Sequence, residues 1–296
     1  MSAYLGRQVE AIQAGDRVLQ EGDFTLVHPT RVACRRLRST VQTFRGLLRA
    51  AGAAEESRAL AGELRWWAGV LGEVRDLDVQ RGVLGGILDG LADPAASARL
   101  RAGVESALDR ATATAQSRVR EELLSPRHDA LIGDLARFAG RLPGHGTAEA
   151  ASQVEVPEAR VVLARTRRAV RRRLDAVDAT GEPAVLHEVR KAAKRARYAA
   201  EAVGAGEEAR LQQQDYEALQ EVLGGFQDLA VAAELVGGHD LGSQGLDLAV
   251  GPEDLALLRT AIGRRLAAAH EQALAASRAV VGTDPGVEDL SVAEPA

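Results

Sequence analysis

Apolar residues recur at three- and four-residue intervals through almost the whole chain. The pattern breaks at residues 22–23, 52, 82–94, 142–157, 181–183, 204–206 and 237–252, where Gly, Pro and polar residues collect. This period predicts helix in each intervening segment and an all-α, up-and-down arrangement of helices joined by short turns. Residues 143–157 carry little apolar patterning and predict a linker between a first helical bundle, 1–142, and a second, 158–281; the acidic, turn-rich stretch 282–296 predicts a mobile tail.

Composition narrows the picture. Hydrophobic residues make up 46% of the 296, enough for a sizeable core, while aromatics are only 3% and Ala, Leu, Val and Arg dominate, which favours helix over an all-β sandwich. No apolar run approaches the roughly 18 to 20 residues of a membrane span, and the first residues lack a basic segment followed by a hydrophobic one, so the expectation is a soluble, non-exported, cytoplasmic protein. The single Cys34 has no disulfide partner, and no histidine or cysteine spacing suits a metal, so no cofactor is expected.

The net charge of −5 conceals a very uneven distribution. Residues 28–49 hold Arg31, Arg35, Arg36, Arg38, Arg45 and Arg49 with no acid, and residues 160–173 hold seven arginines with none, among them Arg165, Arg168 and Arg172. At about 100° per residue, His28, Arg31, Arg35, Arg38, Arg45 and Arg49 share one stripe of a helix, apart from the apolar stripe of Leu37, Val41, Phe44 and Leu48. Pro29 suits the first helical position and predicts that His28 stands at the helix boundary, where free backbone N–H groups favour an anion.

The two halves repeat one another. His28-x-x-Arg31-x-x-x-Arg35-Arg36-x-Arg38 aligns with His187-x-x-Arg190-x-x-x-Lys194-Arg195-x-Arg197 at an offset of 159, which also pairs Gly22 with Gly181. Leu71-Gly72-x-x-x-Asp76-Leu77 aligns with Leu223-Gly224-x-x-x-Asp228-Leu229 at a slightly smaller offset. A period this long marks two copies of a bundle rather than a solenoid. Rows of guanidinium groups without interleaved acids must be solvated, paired with acids from other helices, or neutralised by a ligand, and the repetition of charge and helical phase together favours the ligand.

These paired H-x-x-R-x-x-x-[RK]-x-x-R helices, with a Leu-Gly-x-x-x-Asp-Leu segment in each half, resemble the CHAD domain, the conserved histidine α-helical domain, over nearly the whole chain. The resemblance implies two four-helix bundles related by a pseudo-twofold repeat, whose basic surface or central pore binds inorganic polyphosphate without turning it over, in association with polyphosphate granules. Many relatives carry a CYTH domain with an E-x-E-x-K strand; this chain shows no such strand and looks like a stand-alone CHAD protein. Carried over position by position, the resemblance implies ligand contacts from His28, Arg31, Arg35 and Arg38 and from His187, Arg190, Lys194 and Arg197, with Arg36, Lys191 and Arg195 beside the stripe. Arginine suits the task because its planar fork donates two hydrogen bonds to one phosphate.

Other readings have less in the sequence behind them. A nucleic-acid-binding protein could use the same arginine stripes, but few aromatics and no helix-turn-helix, RRM or zinc module accompany them. An enzyme acting on phosphoanhydrides would need a metal-binding acidic cluster or a G-x-x-x-x-G-K-[ST] loop, and neither lies near the stripes. Docking on an acidic protein, or a dimer formed through Trp66-Trp67, is a further reading. Asp76 and Asp228 are expected to accept from arginines of a neighbouring helix, and Trp66-Trp67 to pack in the core or at an interface; His128, His145, His239 and His270 receive no role.

Overall fold

The structure, a computed structural model, describes residues 1–50, 54–142, 156–204, 206–237 and 245–283, so most of the predicted linker and tail, with His145 and His239, lies outside the described residues. All described secondary structure is helical: α1 (Ser2–Gln20), α2 (Val27–Thr43), α3 (Arg45–Ala50), α4 (Ala54–Asp89), α5 (Pro94–Leu123), α6 (Pro126–Arg141), α7 (Val156–Thr180), α8 (Pro183–Val203), α9 (Glu207–Gly237) and α10 (Pro252–Thr283). No described helix is long and apolar enough to cross a membrane.

Local chemistry accounts for the helix ends. Pro94 opens α5 behind Asp93, whose carboxylate accepts from the N–H groups of Ala95 and Ala96, and Pro126 opens α6 behind Ser125, which accepts from His128 N–H. The paired Gly22 and Gly181 both take positive φ, 86° and 63°, at the ends of α1 and α7, a conformation that β-carbons oppose.

The break expected across residues 82–94 is confined to its last few residues, because α4 continues to Asp89. Its glycines serve a crossing instead. Arg265 of α10 donates to the Gly86 carbonyl at 2.8 Å, and a β-carbon at Gly90 would stand 2.9 Å from the same guanidinium. Arg259, also on α10, caps the end of α9 by donating to Val236 and Gly237 carbonyls.

Among the described residues five apolar clusters form, two of them small (around Phe44 and Leu163) and three large. The first joins α1, α2 and α6 to the first part of α4 and the last part of α5. The second joins α7 and α8 to the first part of α9 and the last part of α10. The third is shared: Leu84, Ile87 and Leu88 of α4, Leu100 and Val104 of α5, Val236 of α9 and Leu258 and Ile262 of α10 pack together. At 1.5 Å per residue, α4 runs about 54 Å, long enough to serve two cores, and the two halves are thereby joined.

The first core contains a buried polar knot. Trp67 Nε1 donates to Asp16 Oδ1 at 3.1 Å, and His128 Nε2 lies 3.2 Å from Asp16 Oδ2, tying α1, α4 and α6. Trp67 is thus a core residue, whereas Trp66 is half-buried beneath the Arg127 guanidinium. His270 donates to the Gly181 carbonyl and stacks on Phe226.

Candidate polyanion-binding site

Helices α2 and α8 pack against each other, and each also lies against a long helix, α2 against α4 and α8 against α9. This places the two repeated cation rows side by side. Arg31 reaches α4, where its Nε donates to the Ala68 carbonyl at 3.3 Å and its Nη2 stands 3.3 Å from Asp76 Oδ1. Gly72 makes room, since a β-carbon there would stand 3.1 Å from Arg31 Nε. In the second half Arg190 occupies the corresponding place, 3.6 Å from where a Gly224 β-carbon would be. The Leu-Gly-x-x-x-Asp segment is therefore a seat for an arginine: glycine clears the space and the aspartate one turn on supplies the charge.

Burial, and after it the crowding of like charges, shows in the proton affinities. Burial, and then Arg35, Arg190 and Arg31, pull the Lys194 ammonium from 10.5 down to about 7, with Asp228 opposing them. Burial also lowers Arg31, Arg38 and Arg190, helped at Arg38 by Arg65, Arg35 and Arg195. Arg38 Nε and Arg190 Nε are buried without a hydrogen-bond acceptor. The Asp228 carboxyl is raised by burial, against the pull of Arg190 and Lys194.

Beyond Arg38 the row opens into a cavity of about 780 Å³ between α2, α3, α4, α7 and α8. Nine arginines line it: Arg38 on α2, Arg45 and Arg49 on α3, Arg58 and Arg65 on α4, Arg165, Arg172 and Arg173 on α7, and Arg195 on α8. Among the described residues no Asp or Glu lines it. Arg165 crosses to α2 and donates to the Thr43 carbonyl at 2.7 Å, which fixes the position of α7 beside the cavity.

The charge-block reading found Arg45, Arg165, Arg172 and Arg195 but missed Arg58 and Arg65. These two lie seven residues apart on one face of α4, yet Glu56 and Glu63 stand between or beside them in sequence. Those acids face away, where Glu56 pairs with Arg141 at 2.6 Å and Glu63 with Arg127 at 2.7 Å.

Other sequence candidates lie elsewhere. Arg36 pairs with Glu201 at 2.8 Å, and Arg197 is held by Glu201 at 3.4 Å and Glu217 at 3.2 Å, so both are already neutralised. Lys191 pairs with Glu188 on the surface, and Arg168 is exposed outside the cavity lining. The expectation that Pro29 opens the helix needs correction: α2 begins at Val27, so Pro29 is its third residue and His28 lies inside the first turn. His187 is likewise inside α8, which opens at Pro183. Neither is the capping residue; those are Leu26 and Glu182. His28 lines a separate cavity of about 290 Å³ with Arg75, Asp78 and Arg81, and partial burial, then Arg75 and Arg31, hold its imidazole below the usual value. His187 Nδ1 lies 2.9 Å from Gln227 Oε1.

Comparison with known proteins agrees with this architecture. The crystal structure of the CHAD domain from the plant Ricinus communis superposes with a TM-score of 0.67 at 26% identity, covering 94% of this chain and 90% of that one. PptA from Streptomyces chartreusis shares the fold at a TM-score of 0.69 and 20% identity, covering 94% and 97%. The uncharacterized proteins MT2285 and Rv2226 of two Mycobacterium tuberculosis strains are each 30% identical over 239 residues, 78% of this chain but 43% of theirs, so the chain spans less than half the length of these relatives. The CHAD domain family model matches residues 3–237, which include α2, α4, α8 and α9 with both cation rows and both arginine seats, and the chain belongs to the CHAD domain family.

Proposed function

We propose that this protein binds inorganic polyphosphate in the arginine cavity and along the adjoining α2–α8 row, and holds the polymer without turning it over. The observation that carries the reading is the cavity itself, about 780 Å³ lined by nine arginines and, among the described residues, no carboxylate. Cations gathered this densely repel one another unless an anion joins them; burial and, after it, the neighbouring arginines lower the proton affinities of Arg38 in the cavity wall and of Lys194 on the adjoining row. A linear polyanion relieves it at many points at once, each guanidinium fork meeting a phosphate oxygen pair. The volume lies within the roughly 300 to 1,000 Å³ of ligand pockets and is generous for one phosphate, which favours a run of several.

Arg31, Arg35, Arg190 and Lys194 continue the basic surface from the cavity to the arginine seats. Arg36, Lys191 and Arg197 are left out of the binding set because acids already hold them. A holding role fits the cavity lining, in which, among the described residues, no carboxylate or histidine stands to take a proton or hold a metal. In this reading the two halves are copies of one bundle, brought together so that their cation rows adjoin.

Calorimetric titration with long-chain polyphosphate, beside length-matched single- and double-stranded DNA at near-physiological salt, tests the ligand. Tight polyphosphate binding with weak DNA binding supports it; equal or stronger DNA binding assigns the stripes to nucleic acid. Binding to neither removes the ligand altogether.

A further inference from the structure

The two halves place very different chemistry at matched positions, and this asymmetry goes beyond the polyphosphate reading while resting on it. At the offset of 159 that pairs the cation rows, Gln42 of α2 corresponds to Glu201 of α8, and Arg38 to Arg197. At the offset of 152 that pairs Asp76 with Asp228, Arg65 of α4 corresponds to Glu217 of α9. Arg38, Gln42 and Arg65 line the arginine cavity. Their counterparts close on themselves.

Glu201 is the centre of that closure. It accepts from the Tyr4 hydroxyl at 3.0 Å, pairs with Arg36 at 2.8 Å and lies 3.4 Å from Arg197. Only 10% of its side-chain surface is exposed, and Arg197, 18% exposed, has Glu217 as its second partner. Glu201 outweighs burial and raises the Arg36 guanidinium above its ordinary value, the opposite of the lowering at Arg38. The face formed by Arg36 of α2 and Arg197 of α8 therefore carries two arginines balanced by two acids.

We propose that Glu201 and Glu217 make polyanion binding one-sided: they neutralise Arg36 and Arg197, the counterparts of Arg195 and Arg38 on the opposite face, so that a polyphosphate chain engages the α2–α8 row from the Arg38–Arg195 side alone. The two acids are specificity-determining residues that act through Arg36 and Arg197.

The test is the salt dependence of polyphosphate affinity for wild type, for Glu201→Gln combined with Glu217→Gln, and for a control carrying Glu10→Gln and Glu121→Gln, both exposed and away from the rows. Each newly engaged phosphate steepens the slope of log affinity against log salt by about 0.7, so two freed arginines should steepen it by about 1 to 1.5 and tighten binding. The control should leave the slope unchanged. A folded double variant with the wild-type slope overturns the proposal, as does an equal gain in the control. Glu217→Gln alone leaves Tyr4, Glu201 and Arg36 in place and decides the matter if the double variant does not fold: about 0.7 steeper supports one-sidedness, and no change contradicts it. Wild type that fails to bind polyphosphate removes the underlying reading, and this one with it.

Discussion

Arg31 crosses α4 at Gly72, its Nε only 3.1 Å from where a β-carbon on that residue would stand, and the same crossing by Arg190 at Gly224 leaves 3.6 Å. The half-ångström separates a contact that must give way from an ordinary one. Gly224→Ala should therefore stabilise the protein by up to about 1 kcal/mol through helix propensity, with polyphosphate binding unchanged. Gly72→Ala should gain less stability, displace Arg31 and weaken binding several-fold. Thermal unfolding and titration of the two variants side by side check this; equal effects at both sites would contradict the seat.

Lys194 should make both stability and binding depend on pH near neutrality. Its amine titrates at about 7 in the folded chain against 10.5 for an unperturbed lysine. Between those values the unfolded state holds the extra proton, so the destabilisation, full below pH 7, is relieved as pH rises from about 7 to about 10.5. A neighbouring polyanion favours the protonated form, so polyphosphate should bind more tightly at pH 6 than at pH 8, with proton uptake visible as a dependence of the binding enthalpy on buffer. Lys194→Met should abolish most of that uptake, and uptake of wild-type size in the variant would assign it to another group.

The α4 arginines that charge counting passed over should matter as much as those it found. Arg58→Ala and Arg65→Ala should each reduce polyphosphate affinity several-fold and flatten the salt slope by about 0.7, whereas Lys191→Ala, whose ammonium is held by Glu188 on the surface, should change neither. Titrations at three or four salt concentrations distinguish these outcomes.

The buried Asp16 should be a stability residue alone. Asp16→Ala strips Trp67 Nε1 of its acceptor and His128 of its partner in a site of almost no solvent access, at a cost of about 2 to 4 kcal/mol. Chemical denaturation should show the loss, and polyphosphate affinity per folded molecule should be retained.

How far the site was legible in the sequence follows from the range of the interactions involved. Helical period, the cation rows and the Asp76 contact all depend on residues within a few turns of one another or on a repeat visible at fixed offsets, and they read directly. The continuation of α4 through its glycines did not, because Gly86 answers to Arg265 on α10, far away in sequence. The pairing of Arg36 with Glu201 on α8 and of Arg197 with Glu217 on α9 did not read either, because these partners stand on different helices. Arg58 and Arg65 were hidden by the opposite circumstance, acids close in sequence that point to other partners. Charge read along the chain sees neighbours, whereas the electrostatics of the cavity depend on which face each side chain occupies.

The central claim is that the arginine cavity is where the polyanion sits, and a crystal structure of the protein with polyphosphate tests it most directly. The account predicts a run of phosphate density between α4 and α7, contacting Arg65 and Arg165 and continuing past Arg38 toward Lys194. Density confined to the His28 cavity or to the outer surface, with the nine arginines untouched, would contradict it.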